Sequence, residues 1–376
     1  MTATATRPAK SGGTTIRKFI VADLKAAFNA VRDAVPSRPA RPILRNVMLS
    51  SDGTLSATDL ELRIAYPLGQ KGPSVLLPHA RMVAILNSCN GADEVSLQIE
   101  DNVCRVSCGG GKWSLPTEDT SEFPAAHDGI GRPISRLPAD QFISMMSSVK
   151  FATDSAAGKP AYSGVLIEFR TAKGEEYGTL SFVALDGRRM CCSHCDVEQD
   201  LDDSTTVVPR RAIDVICKLA ANRDGIQLET AGNELLANID GIVVQARLIE
   251  GAFPDWRKAV PDREPRASSL GVAPLLHACT MASICTSESS RGTSLTFAPK
   301  SLRLSSRSPE YGESSATCDL IECGVPCAVS IVPAYAIEWL ESLDSAATVN
   351  VDAESNAASV VLRCEDSFTV IAPLAP

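Results

Sequence analysis

The chain has 376 residues, of which 44% are hydrophobic and 22% charged, with a formal net charge of −9. That length exceeds one ordinary core and suits about two to four domains, and the balance is that of a globular chain, not a disordered or membrane one. The acidic sum excludes a surface coated in basic residues that would bind any nucleic acid indiscriminately, yet leaves room for a local basic groove.

The opening MTATATRPAKSGG has no apolar core of the kind a secretory signal carries, and it is short for a transit peptide despite being basic and free of acids. Residues 1–15 are therefore expected to be a disordered extension of a cytoplasmic protein. No later run approaches the roughly 18 to 20 apolar residues that span a bilayer, so no membrane partner is expected. The 13 cysteines are odd in number and scattered, which favours reduced thiols serving as small buried apolar groups.

From Lys18 onward a unit recurs: a short apolar strand, often a proline, an amphipathic helical stretch, then alternating strands. Six copies begin near Lys18-Phe19-Ile20-Val21, Val75-Leu76-Leu77-Pro78, Ser135-Arg136-Leu137-Pro138, Val207-Val208-Pro209, Leu270-Gly271-Val272 and Ile331-Val332-Pro333, at spacings of about 55 to 70 residues. The proline suits the first turn of a helix that follows a strand, because its φ is fixed and its N–H is absent. Helices are predicted over 139–149, 210–221, 273–285 and, after Pro333, from Ala334 to Leu340. Strands such as Ile226 to Thr230 and Leu235 to Ile239 flank a turn at Gly232-Asn233. Each unit is thus β-α-β-β-β, an α+β class. One unit cannot cover both faces of its own sheet, so copies must pair their helices over a shared core and continue their sheets into neighbours. Two units make one domain, giving three: 16–132, 133–263 and 264–376.

Helix faces add a clue to polarity. Leu24, Phe28, Val31 and Val35 recur as an apolar stripe, while Lys25, Asn29 and Arg32 share another face. In the fourth helix Ile213 and Ile216 are apolar, and Arg210, Arg211 and Lys218 are basic; Arg81 leads the second. The third and fifth helices contribute little charge, so the basic stripe is uneven.

Four segments in order resemble the bacterial DNA polymerase III beta subunit family. They are SRPARPILRNVMLSSDGTLSATDLEL (Ser37 to Leu62), FVALDGRRM (Phe182 to Met190), RLIEGAFPDWRKAVP (Arg247 to Pro261) and the closing Phe368 to Leu374 with its proline. The resemblance runs from about Phe19 to the C-terminus and implies a DNA sliding clamp. In that fold three tandem clamp domains per chain close head to tail into a homodimeric ring, helices lining it and sheets outside. It implies a noncatalytic processivity factor of DNA replication. Such a factor encircles double-stranded DNA without sequence specificity and tethers the polymerase and clamp loader through short linear motifs.

Carried over by position, the motif-binding pocket falls on Tyr162, Leu185, Gly187, Arg189, Met190, Pro254, Lys258 and Ala259, closed by Ser359, Val370, Ile371, Ala372, Pro373 and Leu374. A concave apolar slot of this kind suits a peptide's hydrophobic anchors. The chain departs from the family's usual pattern at Arg188 in place of histidine, Lys258 in place of arginine and the Ala375-Pro376 ending. The dimer interface is expected at Trp113 and Leu115 against Ile284 and Cys285 of a second copy, where continuing a sheet removes two open edges. The DNA-facing set is Lys25, Arg32, Arg38, Arg45, Arg81, Lys150, Arg210, Arg211 and Lys218. These are positive charges that meet phosphates without reading bases, as sliding requires. An acidic exterior and a basic lumen reconcile the net charge with a DNA partner.

Other chemistries fit poorly, and no catalytic residue, cofactor or metal is expected. Cys191, Cys192, His194 and Cys195, with Cys318, Cys323 and Cys327, have metal-binding residue types. The first four read as one strand, however, with Cys191 and Cys195 on one face and Cys192 and His194 on the other. Gly109-Gly110-Gly111-Lys112 lacks the earlier glycine and the following Ser or Thr of a phosphate-binding loop, Val106 and Trp113 standing there instead. Asp186 reads as a turn residue and not a catalytic acid. A specialised second clamp copy, serving repair or inhibitor tolerance, is the alternative within the same architecture.

Overall fold

All six expected starts are strands that lead into helices. Thr15–Ile20 precedes α1 (Val21–Val31), Val75–Pro78 precedes α2 (His79–Ser88), and Arg132–Pro138 precedes α3 (Ala139–Ser147). Ser204–Pro209 precedes α4 (Arg210–Ala220), Ala267–Gly271 precedes α5 (Val272–Ser283), and Ala328–Ile331 precedes α6 (Pro333–Leu340). Among the described residues three further strands follow every helix, so the chain consists of six β-α-β-β-β repeats. The computed structural model describes residues 15–100, 102–126, 131–154, 158–171, 177–197, 202–262, 266–288 and 291–374. The expected N-terminal extension, apart from Thr15, and the Ala375-Pro376 ending lie outside the described residues.

Pro138 and Pro209 stand directly before their helices, where the predicted starts at Ala139 and Arg210 put them. Pro78, Pro138 and Pro209 stand before the helix, with φ of −63°, −55° and −54° and extended ψ; Pro333 is itself the first helical residue. A φ near this value serves strand end and helix alike, so the chain switches state by ψ alone. No side chain caps any of the six helices at its N-terminus. Backbone does this instead: Val21 N–H donates to Asp93 O at 2.9 Å, Ala139 N–H to Asp224 O at 3.1 Å and Val272 N–H to Ala347 O at 3.0 Å. Each acceptor lies just after the helix of the neighbouring repeat, so one repeat supplies the partners that another's helix end needs.

Repeats also exchange strands. The first strand of each joins its neighbour's sheet: Thr15–Ile20 pairs with Glu94–Glu100 and Val75–Pro78 with Asn46–Leu49. Arg132–Pro138 pairs with Gly225–Ala231 and Ser204–Pro209 with Gly164–Thr171; Ala267–Gly271 and Ala328–Ile331 do the same with Thr348–Asp352 and Thr293–Ala298. Over each exchanged pair the helices pack two by two, α1 on α2, α3 on α4 and α5 on α6. Leu24, Phe28, Met82, Leu86, Phe142, Met146 and Trp339 are all buried there.

Two helix-level expectations are corrected. α1 ends at Val31 and passes into a 3-10 turn, so Val35 lies beyond it, half-buried in extended backbone, and does not extend the Leu24, Phe28, Val31 stripe. α3, α4 and α5 end one or two residues short of the predicted bounds, within the fraying expected at helix ends. Gly109 and Gly110, both at positive φ (+55° and +83°), form the two-residue turn between Val103–Cys108 and Gly111–Pro116. That left-handed pair is a hairpin device and explains the glycine run without any phosphate.

The chain separates into two compact units, Met1–Gly131 with Glu234–Ala246, and Arg132–Asn233 with Arg247–Pro376. In the first, a four-stranded sheet ends at Gly111–Pro116, an edge paired on one side only. In the second, eight strands run in the order Ser204–Pro209, Gly164–Thr171, Gly178–Leu185, Arg189–Val197, Ser367–Ile371, Val360–Cys364, Thr348–Asp352, Ala267–Gly271. A four-stranded sheet of the same unit ends at the edge strand Gly312–Asp319. Among the described residues no helix is long and apolar enough to cross a membrane.

Candidate functional site

The eight-stranded sheet joins sequence-distant segments at one seam. Arg189–Val197 pairs with Ser367–Ile371, setting Met190 opposite Val370 and Arg189 opposite Ile371, while Leu185 faces Met190 across the preceding hairpin. Leu185, Met190 and Val370 share one buried cluster with Leu166, Val207 and Phe368, and Tyr162, Phe253, Trp256 and Val260 pack on its margin. The strand alternation that places Val370 there turns Ile371 to the opposite face, where it is also fully buried.

The turn above this cluster is built by Asp186. Its Oδ1 accepts the Arg188 N–H at 2.8 Å and the Arg189 N–H at 2.9 Å. Gly187 takes φ +88°, and a Cβ there would stand 3.6 Å from the Tyr162 ring; the left-handed backbone is what calls for glycine. Asp186 is thus a turn-forming residue, as its sequence context suggests. The Arg188 carbonyl then accepts the Ala372 N–H at 2.8 Å, and the Ser330 carbonyl accepts the Leu374 N–H at 2.7 Å, which fixes the C-terminal segment along the turn.

Arg189 differs from the other pocket candidates. Its side chain is only 8% exposed and its donors are spent on protein: Nε on Asp186 at 3.1 Å, Nη1 on Glu338 and Nη2 on the Phe151 carbonyl at 3.1 Å. The guanidinium also lies 5.2 Å from the Phe151 ring centre and 4.6 Å from that of Tyr335, close enough for cation–π attraction. It therefore fastens the turn to α6. Tyr335, Glu338 and Ser330, all near this turn, escaped sequence reasoning; the half-buried aromatic in Pro333-Ala334-Tyr335 was the signal available.

Around the cluster, Tyr162, Ser359, Pro373 and Leu374 are half-buried, while Pro254, Lys258, Ala259 and Ala372 are exposed. Lys258 pairs with Asp255 at 3.3 Å and remains 83% exposed. Pro254 lines a cavity of about 530 Å³ together with Leu166, Ile249, Phe253 and Trp256. Beside it Glu168, 5% exposed, meets Arg257 at 2.7 Å and Arg170 at 3.0 Å. Burial acts to raise the Glu168 carboxyl, but hydrogen bonds and charge from Arg257 and Arg170 outweigh it and hold the carboxyl below its usual range. Arg257 in turn stacks on Trp256 at 4.2 Å.

The basic candidates divide between the compact units. Lys25, Arg32, Arg38, Arg45 and Arg81 lie in the first, and Lys150, Arg210, Arg211 and Lys218 in the second. All are exposed except Lys150, which is half-buried. Asp214 on α4 partly neutralises its surroundings, pairing with Lys150 at 2.8 Å and Arg210 at 3.7 Å. Trp113 and Leu115 lie on the edge strand of the first unit; Leu115 is buried and Trp113 half-buried. Ile284, just past α5, is 72% exposed and Cys285 half-buried.

The cysteine-rich strand is Arg189–Val197, where burial pushes the Cys191 and Cys192 thiols up to about 12 and the Cys195 thiol up to about 11. Thiols so far from ionisation are poor nucleophiles. Among the described residues no group of three or more His, Cys, Asp or Glu is placed to hold a metal.

The sequence profile described as DNA polymerase III beta subunit, N-terminal domain, matches residues 18–127, and that of the central domain matches residues 136–255. The beta sliding clamp of Escherichia coli strain K12 is 25% identical over 344 residues, covering 86% of this chain and 92% of that protein. Among solved structures, the DNA polymerase sliding clamp from Bacillus subtilis superposes with a TM-score of 0.87 at 19% identity, over 97% of this chain and 100% of that one. A sliding clamp from Pseudomonas aeruginosa bound to griselimycin gives a TM-score of 0.86 at 20% identity, with 97% and 100% coverage. The two profiles together span more than half of the sequence, and the chain belongs to the bacterial DNA polymerase III beta subunit family, the noncatalytic DNA sliding clamps of replication.

Proposed function

We propose that this clamp holds its polymerase and clamp loader through short linear motifs whose apolar anchors enter the slot over Leu185, Met190 and Val370. The observation that carries this is the seam between Arg189–Val197 and Ser367–Ile371, which brings residues some 180 positions apart into one apolar cluster with half-buried Tyr162 and Leu374 at its rim. The family relative bound to griselimycin is consistent with a ligand site on such a fold. Ala372→Glu, an exposed rim change, tests it: processive primer extension should fall while unfolding stays as in wild type. Unchanged processivity would remove the slot from the mechanism.

Two chains close head to tail around duplex DNA in this reading. Gly111–Pro116 and Gly312–Asp319 each have one unpaired side, and unpaired edges invite a strand from another copy. Trp113, Leu115, Ile284 and Cys285 flank that joint. The chain acts as three domains, 16–132, 133–263 and 264–376, each an exchanged pair of repeats, in the cytoplasm. Lys25, Arg32, Arg38, Arg45, Arg81, Lys150, Arg210, Arg211 and Lys218 face the DNA and meet phosphate without base contacts, so the ring slides. Relatives bearing the plain name beta sliding clamp favour the replicative role over a specialised second copy.

A further inference from the structure

A cavity of about 1320 Å³ adjoins the slot, sharing Leu374 and Arg188 with its rim and lined also by Arg291, Arg303 and Arg307. Its floor carries a row of hydroxyls. Ser294 lies opposite Ser330 on one side and Ser305 on the other, and Ser305 lies opposite Ser315, so four strands present serine at one level. Arg303 and Arg307 flank Ser305 at two-residue spacing and share its face of the strand.

The lining is charged unequally. Four arginines meet two acids, Glu288 and Glu313. Arg307 is paired with Glu313 at 3.2 Å, and Arg291 Nε donates to the Glu288 carbonyl at 3.0 Å, a bond to backbone that does not neutralise its charge, and no carboxylate pairs with it among the described residues. No carboxylate pairs with Arg188 or Arg303 among the described residues, and both are exposed.

We propose that this cavity receives an acidic segment flanking the apolar anchors of a clamp-binding peptide. The inference rests on the slot reading, since Leu374 and Arg188 border both. Guanidiniums and serine hydroxyls are donors suited to carboxylates, and a chain leaving the slot past Leu374 meets them at once. Such complementarity selects partners and speeds their encounter.

Two labelled peptides with the same leucine and phenylalanine anchors test this on the full-length protein, one flanked by aspartates and glutamates, the other by asparagines and glutamines. At low salt the acidic peptide should bind about tenfold tighter, the yield of two or three exposed charge pairs. That preference should vanish in about 0.5 M salt and in the double variant Arg291→Gln/Arg303→Gln, with affinity for the neutral peptide unchanged. Equal binding of both peptides to wild type overturns the inference and leaves the slot standing, whereas binding of neither overturns the slot and this inference with it. A double variant that keeps the acidic preference but alters the monomer–dimer balance, or the salt dependence of DNA retention, assigns the arginines to a second copy or to phosphate and also overturns it.

Discussion

Replacing Arg189 by alanine should destabilise the second compact unit more than any exposed charge change. The side chain is 8% exposed and meets Asp186, itself 14% exposed, at 3.1 Å. Breaking a buried pair by removing one member costs about 3 to 5 kcal/mol. Asp186 keeps its two backbone N–H bonds, which moderates that cost, while the Phe151 carbonyl loses a donor and two rings lose a cation worth about 0.5 to 1 kcal/mol. The net expectation is about 3 kcal/mol. Glu338→Gln is the control, because Glu338 is 46% exposed and its half of the network should be worth under about 1 kcal/mol. Urea unfolding followed by tryptophan fluorescence reads both, Trp256 and Trp339 lying in that unit. Equal losses in the two variants would refute the view that the buried side of the network, Asp186 and the Phe151 carbonyl, carries most of what Arg189 contributes.

Glu168 is held below the usual carboxylate range when folded, so unfolding raises its proton affinity. Its stabilising contribution is present above the ordinary value near 4.3 and fades as pH falls through the folded one. Glu168→Gln should lower stability at pH 7 and flatten that acid-side decline in urea midpoints; an undiminished decline would place its origin elsewhere. Ile284→Asp, at a side chain 72% exposed, should leave unfolding unchanged and shift sedimentation from dimer to monomer. Arg210→Gln with Arg211→Gln should reduce the slope of log affinity for DNA against log salt by about one to two, the lower figure applying if Asp214 already holds Arg210. The Cys104, Cys191, Cys192 and Cys279 thiols, pushed up to about 12 by burial, should resist alkylation at pH 8 in the native protein and react on denaturation, which peptide mass mapping would show.

The six repeat starts were legible because apolar strand ends, fixed-φ prolines and helical spacing are local signals, and Gly109-Gly110 announced a turn by composition alone. Strand exchange was not, for a strand pattern such as Val75–Pro78 marks a buried strand without saying whose sheet takes it. Helix capping was hidden for the same reason, since Val21 finds its acceptor at Asp93 in the next repeat. At the slot, resemblance pointed to Leu185, Met190 and Val370, which do gather in one cluster. The work of Arg189 stayed invisible because its partner Glu338 lies 149 residues away and a surface glutamate on a helix looks like any other. The cationic cavity was equally unreadable, as its arginines come from two loops and one strand far apart in sequence and only the sheet register aligns the serines between them.

The ring reading meets its most direct test in retention on DNA. Protein loaded on a closed circular duplex should remain bound through washing at moderate salt and be lost quickly once a single cut makes the circle linear. Blocking both ends of the linear DNA with bulky proteins should restore retention. Equal loss from circle and line would contradict topological enclosure and leave the chain an ordinary DNA-binding protein on a clamp fold.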